Sequence, residues 1–115
     1  MIKIILIGLL VALLIATIVL NKKKVFKVTA YCGCKLCCKE WYSITKTGKK
    51  LAVGMCAVDP HVIPLHSTVY IKGIGIFKAE DVGGAIKGNH IDVYMPNHQD
   101  ALDFGVQYAE VRWHK

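Results

Sequence analysis

Residues 76–94 read IFKAEDVGGAIKGNHIDVY. Ile76 to Asp81 has the composition of a strand, and Ile91 to Met95 alternates apolar and polar residues as a half-buried strand does. The Gly83-Gly84 pair marks the loop between them. Two acids, Asp81 and Asp92, bracket this loop in a chain whose net charge is +7. Alternation places Ile91, Val93 and Met95 on one face, and Asp92 and Tyr94 on the other. With the apolar face in a core, Asp92 looks outward or into a cleft. A partly shielded carboxylate beside an aromatic ring keeps its proton closer to neutrality, which suits a general acid. A solvated strand residue has the same spacing, and spacing does not separate the two.

The same signature continues on either side. Val25 to Tyr31 alternates as a first strand, and Leu51 to Val58 is an apolar run with Gly54 as a bulge or close approach. Asp59-Pro60 ends that run as a turn. Thr68 to Lys72 and Ala109 to Trp113 read as further strands, and Gln99 to Phe104 suits a short helix stopped by Gly105. There are six or so short strands, one short helix, no βαβ rhythm and no repeat. The expected class is therefore mainly β, as a small closed barrel whose closure removes sheet edges.

The amino terminus is of another kind. Ile4 to Leu20 is seventeen residues without a charge, roughly 26 Å of helix at about 1.5 Å per residue. No A-x-A-like site precedes Asn21, so an uncleaved signal-anchor is expected rather than a cleaved signal, with a secreted form following if cleavage does occur. The domains are then 1–24, a transmembrane segment with a basic flank, and 25–115, the barrel. Lys22, Lys23, Lys24 and Lys27 follow the span, against Lys3 before it, and the positive-inside rule points the barrel toward the cytoplasm.

Of the fifteen Lys/Arg, four are Lys3 and Lys22 to Lys24, leaving eleven against eight acids in the rest of the chain. A mildly basic surface suits an anionic partner. No basic run with interleaved aromatics occurs there, which argues against nucleic acid. Four of the five cysteines, Cys32, Cys34, Cys37 and Cys38, cluster after the first strand, and Cys56 stands apart. In an exported domain this pattern suggests disulfides with one thiol left over. A zinc site ranks below that, because no second cysteine pair lies across a longer loop and nothing fixes His61 or Cys56 as a completing ligand. No metal or cofactor is expected. A cysteine peptidase pairing Cys56 with His61, His66, His90 or His98 is disfavoured, since Cys56 lies among apolar core residues.

Asp81 to Tyr94, DVGGAIKGNHIDVY, closely resembles the core motif of the 3D domain, named for three aspartates and shared with the membrane-bound lytic transglycosylase A family. Ala57 to Ile71 resembles that family's first-aspartate segment, and Val28 to Cys38 resembles versions from clostridia-like bacteria and their phages. Gln99 to Val106 resembles its closing helix. His66 departs from the pattern, which has glycine after "IPL". The resemblance implies a six-stranded double-psi β-barrel that cleaves peptidoglycan between N-acetylmuramic acid and N-acetylglucosamine without water, leaving a 1,6-anhydro end. It implies Asp92 as the catalytic acid, with Asp81 and Asp59 in the same site. Gly83 and Gly84 would approach the glycan, Tyr94 would line the same substrate site, and Lys87 would either hold an anionic peptide stem or be simply solvated. Wall chemistry places the domain outside the membrane, against the lysine asymmetry. A non-catalytic wall-binding module tethered to the membrane is the alternative.

Overall fold

The computed structural model describes residues 2–20, 24–35 and 43–115; of the first helix, the side chains of 2 and 14–20 lie outside the description. Cys37, Cys38, Lys22 and Lys23 are thus outside the described residues. Helix α1 spans Ile2–Leu20, and its described side chains, residues 3–13, are exposed. Among the described residues no helix is long and apolar enough to cross a membrane. The expected transmembrane span is therefore not supported here.

Six strands and one short helix follow. They are β1 (Lys24–Tyr31), β2 (Met55–Val58), β3 (Thr68–Ile71), β4 (Gly75–Asp81), β5 (His90–Tyr94), α2 (His98–Phe104) and β6 (Gln107–His114). The strands close into a barrel in the order β1-β5-β2-β4-β3-β6. Two neighbouring pairs, β1 with β5 and β2 with β4, are parallel, and the others are antiparallel. Parallel neighbours need crossovers, and these carry the loops that build the site. One expected strand is shorter than the sequence suggested. Leu51 to Gly54 forms a turn, and Gly54 at φ 95° takes a conformation that ends a strand rather than bulging within it.

The core follows strand alternation. Phe26 and Val28 of β1, Cys56 and Val58 of β2, and Ile91 and Val93 of β5 point inward and are fully buried. They pack with Ile63, Val69, Ile71, Ala79 and Val111. Burying each of these aliphatic side chains contributes about 1.5–3 kcal/mol. His90, Asp92 and Tyr94 occupy the other face of β5 and are only partly buried.

One irregularity positions the site. Between β2 and β4, Cys56 pairs with Ala79 but Ala57 pairs with Asp81, so Glu80 is the extra residue of a β-bulge. Glu80 is buried and anchors the loop before β2. The Thr47 hydroxyl donates to Glu80 Oε2 at 2.7 Å, Lys49 Nζ donates to Oε1 at 3.0 Å, and His66 Nδ1 lies 3.2 Å from Oε2. Burial pushes this carboxyl's pKa up, but the bonds from Thr47, Lys49 and His66 outweigh it and hold the group below its ordinary value.

His66 reaches Glu80 from a left-handed backbone, φ 73°, so this position has the geometry that glycine normally fills. A β-carbon there costs about 1–2 kcal/mol. His66→Ala and His66→Gly both lose the Glu80 contact, but only alanine keeps the backbone cost. The glycine variant is expected to be more stable than the alanine variant by about 1 kcal/mol in urea unfolding; equal stabilities would refute the strain at this turn.

Candidate functional site

Four neighbouring strands set one cross-strand row. Thr29 of β1 pairs with Asp92 of β5, Asp92 pairs with Ala57 of β2, and Ala57 pairs with Asp81 of β4. Residues in register share a face of the sheet, so both aspartates stand on the same side, over the small methyl of Ala57. Two strand spacings separate their backbones, about 9.5 Å. A side chain larger than alanine at position 57 would fill the space between the carboxylates. Asp81 reaches this row because of the bulge at Glu80.

Asp92 accepts a hydrogen bond from the Thr29 hydroxyl at 2.9 Å, and Thr29 Oγ1 lies 2.8 Å from His90 Nε2. The three groups form a chain with a single orientation at a time. With Asp92 ionised, His90 donates to Thr29 and Thr29 donates to Asp92. With Asp92 protonated, both bonds can reverse, and Asp92 becomes the donor. Burial raises the Asp92 pKa most; Thr29 and His90 pull it back, and Asp81 adds a smaller upward push. The net direction is up, and desolvation rather than the second aspartate is its main cause.

Asp81 is bound differently. Its Oδ1 accepts from the backbone N–H of Lys46 at 2.9 Å and of Val82 at 3.0 Å, and its Oδ2 accepts from the Tyr31 hydroxyl at 3.1 Å. It is buried, at 2% exposure. Asp81 therefore ties the loop before β2 and the end of β1 to the row.

Asp59 does not join the row. Its Oδ2 accepts from the Gly88 N–H at 2.9 Å, and its Oδ1 accepts from the His61 N–H at 3.0 Å. These bonds, Gly88's first and His61's next, hold its pKa below the ordinary carboxylate value. An ionised group with both oxygens engaged serves to fasten the Gly-rich loop to the end of β2. Asp59 is thus brought to the site indirectly, through Gly88.

The loop residues divide similarly. A β-carbon on Gly83 would come within 2.9 Å of Ile86 Cγ1, whereas Gly84 has open space around it. Gly83 lets the buried Ile86 fold back under the loop, and Gly84 leaves backbone accessible. Lys87 is exposed. Tyr94 packs 5.8 Å from Tyr31, ring centre to ring centre, and borders a groove of about 590 Å³ lined also by Val53, Phe77, Met95 and Phe104. A second hollow, of about 500 Å³, lies at the β3–β4 turn; neither cavity is lined by Asp59, Asp81 or Asp92.

No sequence signal marks Thr29, Tyr31, Glu80 or Gly88, and His90 enters the sequence reading only as a disfavoured partner for Cys56. Thr29 and Tyr31 lay in an alternating strand, on the face away from Phe26 and Val28, but only the β1–β5 register places them beside Asp92 and Asp81. Cys56 is buried in the core with its thiol pKa raised to about 12, by burial first and by Asp92 and Asp81 next. That excludes it as a nucleophile near neutrality. Among the described residues it has no disulfide partner.

Because the folded Asp92 carboxyl titrates above its unfolded value of 3.8, the folded state binds the extra proton. Stability then falls as pH rises from the unfolded value through the folded one, and the loss is complete above it. Asp92→Asn removes this loss. The variant is expected to melt a few degrees above wild type at pH 7, with the gap closing as the pH approaches 3.8. A gap independent of pH would refute the assignment.

Comparison with known proteins places this geometry. A family model described as the 3D domain matches residues 54–114. The cell wall-binding protein YocH of Bacillus subtilis is 48% identical over 73 residues, covering 60% of this chain and 25% of that one. The SPbeta prophage-derived uncharacterized protein YorM, also from Bacillus subtilis, is 39% identical over 90 residues, covering 74% of this chain and 38% of that one. This chain thus spans well under half the length of these relatives. A looser likeness of shape relates it to the crystal structure of MltA from E. coli, with TM-score 0.49 and 26% identity over 61% of this chain and 26% of that one. The match spans three of the row's four strands and the Asp59 clamp, and on it the chain belongs to the 3D domain family.

Proposed function

We propose that the domain binds peptidoglycan glycan strands and cleaves them as a lytic transglycosylase, with Asp92 as the single acid and base. The observation that carries this is a contrast between two aspartates: Asp92 has its carboxyl partly buried and its pKa raised, whereas Asp59 is held below its ordinary value. A glycosidase that uses water needs two carboxylates flanking the bond. Intramolecular attack by the sugar's C6 hydroxyl needs one. Protonated Asp92 gives its proton to the leaving glycosidic oxygen; the carboxylate then takes the proton of the C6 hydroxyl as the 1,6-anhydro ring closes. The acid is restored, and no water is consumed.

Thr29 and His90 follow this proton. As Asp92 becomes a carboxylate, Thr29 turns to donate to it, so a hydrogen bond strengthens where charge develops. The groove beside Tyr94 offers apolar and aromatic surface for a neighbouring sugar, and Gly84 and Lys87 lie on the loop that would meet the glycan. The barrel's two parallel pairs fit the double-psi description that accompanies this reading. Helix α1 would anchor the domain at the membrane, with the barrel outside it where the wall is; host or phage origin both fit.

A wall-binding module without cleavage is the second reading, favoured by the name of YocH, a cell wall-binding protein. One assay separates the two. The full chain in mild detergent is incubated with purified peptidoglycan, and the soluble products are weighed by mass spectrometry. Cleavage gives products one water lighter than hydrolysed muropeptides, and Asp92→Asn is expected to slow their release by about 10²–10⁴-fold. Retained pelleting on the wall with no product from either protein would leave only the binding module. Full-mass products would mean hydrolysis and overturn the single-acid mechanism.

The pH profile gives a further check. The protonated form of Asp92 begins the reaction, so kcat/KM falls as pH rises through its pKa. Thr29 donates to the charged form, so Thr29→Val is expected to raise that pKa and move the falling limb to higher pH. A limb that stays in place, or moves to lower pH, would remove Thr29 from the mechanism.

A further inference from the structure

The end of β1 and the start of α2 bring three soft ligands together. Cys32 Sγ lies 3.3 Å from His98 Nδ1, Cys34 Sγ lies 3.4 Å from the same nitrogen, and the two sulfurs are 2.9 Å apart. All three atoms lie within 4.8 Å of one another. Cys32 is fully buried, and Cys34 and His98 are partly buried. None of these residues enters the glycan chemistry.

The backbone builds this cluster. Register on β1 and β5 pairs Tyr31 with Tyr94, and the Met95 N–H continues the ladder by donating to the Tyr31 carbonyl at 2.8 Å. Cys32 therefore leaves β1 beside the segment that enters α2. Asn97 caps that helix by accepting the Asp100 N–H, and His98 is its first residue. Two ligands come from a Cys-x-Cys segment just after β1 and the third from 64 residues later, at the start of α2.

We infer that Cys32, Cys34 and His98 bind a zinc-class divalent metal ion. Thiolate and imidazole together select soft, tetrahedral ions of this kind. Bond lengths of about 2.3 Å to sulfur and about 2.0–2.1 Å to nitrogen imply tetrahedral edges of roughly 3.8 Å between sulfurs and roughly 3.5 Å from sulfur to nitrogen. The two sulfur–nitrogen edges already lie within a few tenths of an ångström of this. The sulfurs need to part by roughly 0.9 Å, and their separation is well beyond the roughly 2.0 Å of a disulfide bond. Binding releases the thiol protons and joins β1 to α2. It also fixes Tyr31, one residue before Cys32, which donates to Asp81. The sequence alone favours disulfides over zinc, since no second cysteine pair lies across a longer loop; His98 joins the set only through the fold.

The test is independent of wall chemistry. The full chain, purified in detergent with reductant and stripped by a chelator, is titrated with Co²⁺ and then Zn²⁺. One equivalent of Co²⁺ is expected to give the near-ultraviolet sulfur-to-cobalt band and the visible bands of tetrahedral cobalt, and Zn²⁺ should displace it. Zn²⁺ should also raise the melting temperature. His98→Gln, at a partly exposed position that should still fold, is expected to weaken binding by about tenfold or more and to abolish the melting shift, while Cys56→Ser keeps both. Intensity of the sulfur band counts the thiolates: two from this set, more if another cysteine joins it. Absence of the tetrahedral spectrum, or binding unchanged by His98→Gln, would overturn the inference. So would zinc-free protein isolated without reductant in which Cys32 and Cys34 are joined to each other.

Discussion

The bulge that sets Glu80 aside on β4 is the constraint on which the site depends. Without that extra residue, the pairing that begins at Cys56 and Ala79 would place Glu80 opposite Ala57 and turn Asp81 toward the core. With it, Thr29, Asp92, Ala57 and Asp81 stand in one row across four strands. The displaced Glu80 is held by Thr47, Lys49 and His66. Those contacts keep the loop before β2 in place, and the same loop supplies the Lys46 N–H to Asp81. The backbone irregularity, the buried Glu80 with its partners and the two carboxylates of the row are parts of one arrangement.

Within it, three aspartates of the same chemistry receive different environments. Asp59 accepts two backbone N–H groups and remains charged, which makes it a fastener for the Gly88 loop. Asp81 accepts two backbone N–H groups and a tyrosine hydroxyl, and joins two loops to the row. Asp92 receives one hydroxyl and loses water to burial, so its pKa is pushed up. The number and kind of donors, more than proximity of one aspartate to another, separates the clamp from the proton carrier. A like-charge effect of Asp81 on Asp92 exists but ranks below desolvation.

Much of this was legible in the sequence, and the limits have physical causes. Alternation in Ile91–Tyr94 gave the correct faces, because a period of two is a local property of the chain. The closed six-stranded barrel followed from strand number and spacing. The parallel pairing of β1 with β5 joins residues about sixty positions apart, and no local pattern carries it. Thr29, His90 and Tyr31 were therefore invisible as site residues, and His98 was invisible as a partner of Cys32 and Cys34. Asp59 stands with the other acids in the sequence pattern, and its bonds to Gly88 and His61 are a product of the fold. His66 was recognisable as a departure from a glycine position, and its φ of 73° bears this out. The apolar run of α1 was easily seen, whereas its membrane role lies beyond what the described residues support.

The central claim is that burial, and not a partner charge, reserves a proton for Asp92. Titrating the aspartate carboxyl carbons of the isotope-labelled full chain by nuclear magnetic resonance tests it most directly. Asp92 is expected to have its midpoint above 3.8 and Asp59 below it, and replacing Asp81 by asparagine should lower the Asp92 midpoint only slightly. An Asp92 midpoint at or below 3.8, or one that collapses to that value when Asp81 is replaced, would contradict the account.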